Sequence, residues 1–266
     1  MTDSHIHTRP AAVAGLFYTA DPAQLKSEVR LYLDNASTDT QIPPKAIIAP
    51  HAGYIYSGPV AASAYALLKP VADKIKQVVV LGPSHRVAFE GVATPDADYF
   101  ETPLGKIKIN QHLCQSLNQL DFVFPNNRAH QDEHSLEVQL PFLQSVLSDF
   151  ELTPLVVGNC RQNDVAHLLD QVWGDAQTLI VISSDLSHYH EYSSAQKLDL
   201  ITSEAITHLE PEKIHYDNAC GRNPLNGLLT LARSKQLKVD LLDLRNSGDT
   251  AGSKDRVVGY GAYAVH

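Results

Sequence analysis

The sequence predicts a single three-layer α/β domain, with a mixed, largely parallel sheet flanked by helices. Three observations carry this. Short β-branched runs, four of them almost continuously apolar, alternate with stretches of helical spacing, as expected of strands covered on both faces. The last stretch, "DRVVGYGAYAVH" (255–266), alternates instead and reads as a closing antiparallel strand. No repeat, low-complexity tract or Pro/Gly/Ser linker divides the 266 residues, so residues 1–266 are expected to form one domain.

Taken in order, residues 1–8 are polar and are expected to be a mobile tail. "KAIIA" (45–49), "QVVVLG" (77–82), "ELTPLVVG" (151–158), "TLIVISS" (178–184) and "KVDLLDLRNS" (238–247) read as strands. Helical spacing covers 58–68, 134–147, 163–173, 193–209 and 223–234. The segment 91–110 carries a Pro-containing turn between apolar runs and reads as a β-hairpin excursion.

Composition narrows the function. A net charge of −9 argues against nucleic-acid binding, which usually needs a basic face. No apolar run approaches the roughly 18 residues of a membrane span, and the polar start has no signal-peptide core. Cys114, Cys160 and Cys220 are odd in number and far apart, which is neither a disulfide framework nor zinc-ribbon spacing. The expectation is a protein of the reducing cytoplasm. There is no G-x-S-x-G elbow, and neither "GPSH" nor "GYGAY" has the glycine spacing and lysine of a phosphate loop.

Histidine placement is the sharper signal. Of thirteen histidines, His112, His167, His208 and His215 read as ordinary surface or helix residues. His51 and His85 each directly follow a strand, in "IIAPHAGY" and "VVVLGPSH". Asp185 also follows a strand, in "VISSDLSHYH", with His188 three residues on. In open α/β sheets, ligands bind beyond the carboxyl ends of the strands, so all four are expected at one edge. Neutral imidazole is the commonest metal ligand, and two at one crevice need a third donor. Cys220, in "NACGRNP", is a candidate, although a lone cysteine is ordinarily a small buried hydrophobe. Cys114 and Cys160 stay with that ordinary role. His134 and Glu137 stand at i, i+3 on an expected helix, a spacing that brings side chains together. Asp132 and Glu133 precede that helix and either fix a loop or support a ligand from behind. Tyr54, Tyr56 and Arg222 are further candidates for the pocket wall.

Five motifs, "APHAGYIYSGP", "LGPSH", "DEHSLEVQLPF", "ISSDLSHY" and "NACGRNP", stand in this order. Together with the opening "RPAAVAGLFYTADPAQL", they make the chain resemble the Memo family from Arg9 to the last strand. Prokaryotic members are called AmmeMemoRadiSam system protein B, after proteins encoded nearby. The resemblance implies a fold similar to class III extradiol dioxygenases, which are non-haem iron enzymes. It also implies a metal site of two histidines and a cysteine, falling here on His51, His85 and Cys220. His188 then falls where those enzymes keep an acid/base, with Asp185 orienting it. The third ligand departs from the two-histidine, one-carboxylate set of the dioxygenases. A thiolate is softer and suits iron or copper, with zinc as the alternative.

Three functions follow as expectations. The first is a mononuclear iron or copper redox protein acting on an unknown small molecule. The second is a module that binds a ligand or peptide without turning it over, as animal members bind phosphotyrosine peptides. The third is a hydrolase dependent on Cys220. The resemblance also implies partners among the AMMECR-like and radical SAM proteins encoded nearby.

Overall fold

The computed structural model describes residues 6–37 and 42–266. Its centre is four parallel strands, ordered Ala46–Ala49, Thr178–Ser183, Gln77–Pro83, Glu151–Val157. Val257–Val265 adds antiparallel to Ala46–Ala49 and carries Val239–Asn246 on its other side. Val92–Thr94 joins antiparallel beyond Glu151–Val157, and Val123–Pro125 lies parallel to it.

The near-continuous apolar runs are explained by two cores, one on each face. Along Gln77–Pro83, Val78 and Val80 enter one core and Val79 and Leu81 the other. Ile47 and Ile48 divide in the same way, as do Val181 and Ile182. A strand sends successive side chains to opposite faces, so both registers must be apolar. Pro22–Asn35, Tyr54–Tyr65 and Leu140–Val146 cover the first face. Gln162–Gln171, Tyr192–Thr207 and Arg222–Ser234 cover the second.

Pro22–Asn35 had no expectation, yet it has a plain start. The Asp21 carboxylate accepts from Gln24 N at 2.8 Å, Pro22 takes the first turn, and Leu25, Val29 and Leu33 bury one stripe. On the second face, Arg222–Ser234 crosses Gln162–Gln171 closely. A Cβ on Gly227 would lie 2.3 Å from Val165 Cγ1, so only glycine permits this approach.

Three elements differ from expectation. The helix expected over 58–68 begins at Tyr54, where Phe17 O accepts from Tyr54 N, and tightens to a 3₁₀ helix over Ala66–Val71. The helix expected over 134–147 is broken: a 3₁₀ turn at Glu137–Gln139 precedes Leu140–Val146, with Pro141 in its first turn. Of the expected hairpin, Tyr99–Thr102 and Gly105–Lys108 do pair, but Val92–Thr94 leaves it for the main sheet. The tail expectation is corrected in part. Thr8–Arg9 forms a parallel strand on Tyr99–Thr102, and His7 N donates to Asp98. Residues 1–5 lie outside the described residues.

Candidate metal centre

The shared position after strands does bring the predicted residues together. Ala49 and Ser183 are register partners on neighbouring parallel strands, so the chain leaves the sheet at one edge. His51, His85, Asp185 and His188 all line one cleft of about 630 Å³. Phe17, Tyr56, Tyr189, Arg256 and Tyr260 contribute to its walls.

His51, His85 and His134 each present one nitrogen, and these atoms all lie within 4.8 Å of one another. Ring centroids are 5.2 Å apart for His51–His85, 5.4 Å for His51–His134 and 4.5 Å for His85–His134. His134 thus moves from a candidate for the wall to the centre. The break before Glu137 makes this possible, because His134 sits on irregular chain and not on a helix face.

Hydrogen bonds decide which nitrogens face the cleft. Ser183 Oγ accepts from Gln139 Nε2 at 2.7 Å and donates its one proton to Ser135 O at 2.6 Å. His51 Nδ1, 2.8 Å from the same oxygen, must therefore be the donor, which leaves the lone pair on Nε2. At His85, Nδ1 lies 2.9 Å from Glu133 Oε1, and Glu133 Oε2 accepts from His85 N at 2.6 Å. Burial would raise Glu133, but these bonds from His85 outweigh it and hold the carboxyl down at about 2. An ionised Glu133 accepts from Nδ1–H, so Nε2 is the His85 nitrogen left to face the cleft.

Burial, then repulsion from His85, pushes His51 well below the usual histidine range. Burial, then repulsion from His51, lowers His134 to about 4. A neutral imidazole anchored at Nδ1 with Nε2 free is the form that binds metals, and His51 has both features. The donor set fits a transition-metal ion on this ground.

Cys220 stands just outside the three-histidine group and meets it at His51, with Sγ 3.3 Å from Nε2. Two ligands bonded to one ion at 2.0–2.3 Å are roughly 3.1–3.6 Å apart, so this spacing suits a shared ion. Burial, then the Asp185 charge, pushes the thiol well up, and Asp185 N donates to Sγ at 3.3 Å. Gly221 lets the loop reach this place: a Cβ there would lie 2.6 Å from Ser183 O. Cys114 and Cys160 are buried in the two cores, as expected.

Asp185 Oδ1 accepts from His51 N at 2.7 Å. It therefore fixes the loop of His51, and no hydrogen bond joins it to His188 among the described residues. His188 is oriented instead by Leu186 O, 2.8 Å from its Nδ1. That carbonyl makes Nδ1 the donor and leaves Nε2 as the acceptor.

Three wall candidates lie elsewhere. Tyr54 is buried, and its hydroxyl donates to Val138 O at 2.7 Å; Tyr56 is the tyrosine on the wall. Glu137 turns away to Arg9 and Tyr18. Arg222 lines a separate groove of about 450 Å³, over the Tyr216 ring. Phe17, Gln139 and Ser183 carry no signal as single residues in the sequence. Gln139 does fall within "DEHSLEVQLPF", and Ser183 opens "SSDLSH". Among the described residues, no helix is long and apolar enough to cross a membrane.

Comparison with known proteins gives the family and the fold. A MEMO1 family protein of Aquifex aeolicus is 36% identical over 96% of this chain and 98% of its own length. One of Saccharolobus solfataricus is 34% identical over 95% and 97%. The crystal structure of the uncharacterized protein JW3007 from Escherichia coli K12 superposes with a TM-score of 0.50 at 14% identity, covering 81% of this chain and 98% of that one. It is similar in fold, and both the single α/β class and the mixed, largely parallel sheet expected from the sequence are present here. The family profile described as Memo-like protein matches residues 9–264, and the chain belongs to that family.

Proposed function

We propose that this chain holds one transition-metal ion between His51 and His85, with Cys220 and His134 as the flanking donors. The observation that carries this reading is the pair of anchored imidazoles. Ser183 and Glu133 hold the Nδ1 atoms, and both Nε2 atoms face one cleft. Imidazole and thiolate together favour iron, copper or zinc over ions that prefer oxygen. The reading commits to iron or copper, which when bound would supply one-electron chemistry to a small molecule in the cleft.

The surrounding residues have definable tasks. His188 offers Nε2 to take a proton from a bound molecule, while Leu186 O holds its other nitrogen. Asp185 keeps His51 in place through the backbone. Tyr56, Tyr189 and Phe17 provide the apolar wall.

The hydrolase reading is weaker. Cys220 and His51 touch, but burial raises the thiol and lowers the imidazole, so the pair is neutral and not a thiolate–imidazolium nucleophile. Elemental analysis of protein purified without oxygen tests the proposal. Near-stoichiometric iron or copper, lost in His51→Ala, is expected. Absence of stoichiometric metal from the wild type, or its retention in His51→Ala, overturns it.

A further inference from the structure

Residues 132–136, which carry Glu133 and His134, belong to no helix or strand. Val138 N, Ser183 Oγ and Gln139 N bond the His134, Ser135 and Leu136 carbonyls, but something else must fix the Glu133 carbonyl. Arg9 does so. Its Nε donates to His130 O at 3.0 Å, its Nη2 to Glu133 O at 2.7 Å, and its Nη1 to the Glu137 carboxylate. The planar guanidinium thus spans the irregular segment, from the helix end at His130 through Glu133 to the 3₁₀ turn at Glu137, as its rigid fork of donors allows.

Glu137 completes the arrangement from the other side. It accepts from Ala12 N at 2.8 Å, Val13 N at 3.0 Å and the Tyr18 hydroxyl at 2.6 Å. These bonds fold residues 12–18 back, so that the Phe17 ring sits 4.6 Å from the His134 ring. Arg9 is 5% exposed and Glu137 is fully buried. A buried ion pair contributes little net stability, because desolvation offsets the attraction. Its value lies in geometry: removing either partner leaves the other uncompensated and frees the segment.

We infer that Arg9 and Glu137 are positioning residues for the histidine cluster, linking the N-terminal segment to the backbone that presents Glu133 and His134. The inference rests on the metal-binding reading. Glu133 in turn holds His85, so one latch sets two of the three imidazoles. Neither residue touches the cleft.

Co(II) titration of Arg9→Lys, alone and in a His134→Ala background, tests this. Lysine keeps the charge but cannot reach all three acceptors. Arg9→Lys is expected to weaken Co(II) about 10–100-fold, the range for residues that orient ligands. In the His134→Ala background the loss should shrink without vanishing, since the part carried by His134 is gone while the part carried through Glu133 and His85 remains. Unchanged affinity, or the same loss in both backgrounds, overturns the inference. If Arg9→Lys does not fold, Glu137→Gln takes its place, with the same outcomes. If the wild type binds no Co(II), the metal reading fails, yet the latch is still tested in metal-free protein. The imidazole resonances of His134 and His85 should then shift in the variant while distant histidines such as His208 do not. Resonances that stay unmoved overturn it.

Discussion

Ser183 Oγ stands 2.8 Å from His51 Nδ1, and this contact fixes which nitrogen of His51 faces the cleft. The chain of donors runs back through Gln139 Nε2, and Gln139 Oε1 accepts in turn from the Tyr65 hydroxyl at 2.8 Å. Ser183→Ala removes the acceptor that holds Nδ1–H. Metal affinity is expected to fall about 10-fold or more, read by competition with a chelator. Stability should also fall by roughly 1–3 kcal/mol, because Gln139 Nε2 loses one of its two partners in a buried place. A variant that binds metal as tightly as wild type shows that the tautomer is set elsewhere.

Acid should destabilise the protein in two stages, even without metal. Burial lowers His130 to about 4, despite its bond to Ala93 O, which partly opposes that. Its folded value lies below its unfolded value near 6.5, so the unfolded chain takes the proton first. Stability is complete above about pH 6.5 and is lost as pH falls toward 4, by roughly 3 kcal/mol from this group. Glu133, held at about 2, adds a second loss as pH falls below its unfolded value toward 2. Urea unfolding of wild type and His130→Gln between pH 7.5 and 4.5 checks the first stage. The variant should show a shallower slope by one proton; equal slopes contradict the assignment.

Gly227→Ala is expected to cost about 1–3 kcal/mol, because the new methyl overlaps Val165 on the neighbouring helix. Val165→Ala in the same chain should recover part of the loss. Metal content should not change in either variant, since this contact lies within the core of the second face, away from the histidine cleft. Thermal midpoints and metal content measured together separate the two effects.

How far the site could be read in advance depends on what carried each residue. His51, His85 and Asp185 were legible because a buried parallel strand announces its own end, and the edge where it ends is fixed by topology. His134 and Glu137 were paired on the assumption of a helix. The backbone instead breaks between them, which sends His134 into the cleft and Glu137 toward Arg9. Tyr54 and Tyr56 differ for a similar reason: the helix starts at Tyr54, so Tyr54 turns inward and Tyr56 outward. Arg9 had no local signal of its own, since its partners lie more than 120 residues away. Long-range pairing of this kind leaves no periodicity to find.

Cys220→Ser gives the most discriminating outcome for the ligand set. The half-buried thiol is pushed up by desolvation and the Asp185 charge, and a bound cation would make its deprotonation favourable, so metal and proton should compete there. Serine keeps the shape but not the soft donor. Wild-type affinity should fall as pH drops, and the variant should lose most iron or copper while its dependence on pH flattens. The fold should tolerate the change, because Cys220 belongs to neither of the two cores that cover the faces of the sheet. Metal-free wild type and Cys220→Ser are therefore expected to melt within a few degrees of each other. If the variant keeps its metal and His134→Ala loses it, the three imidazoles alone are the ligands, and Cys220 is a neighbour that donates its S–H to His51. If both variants lose metal, the ion is shared across the whole cluster, which the 3.3 Å spacing between Sγ and His51 Nε2 favours.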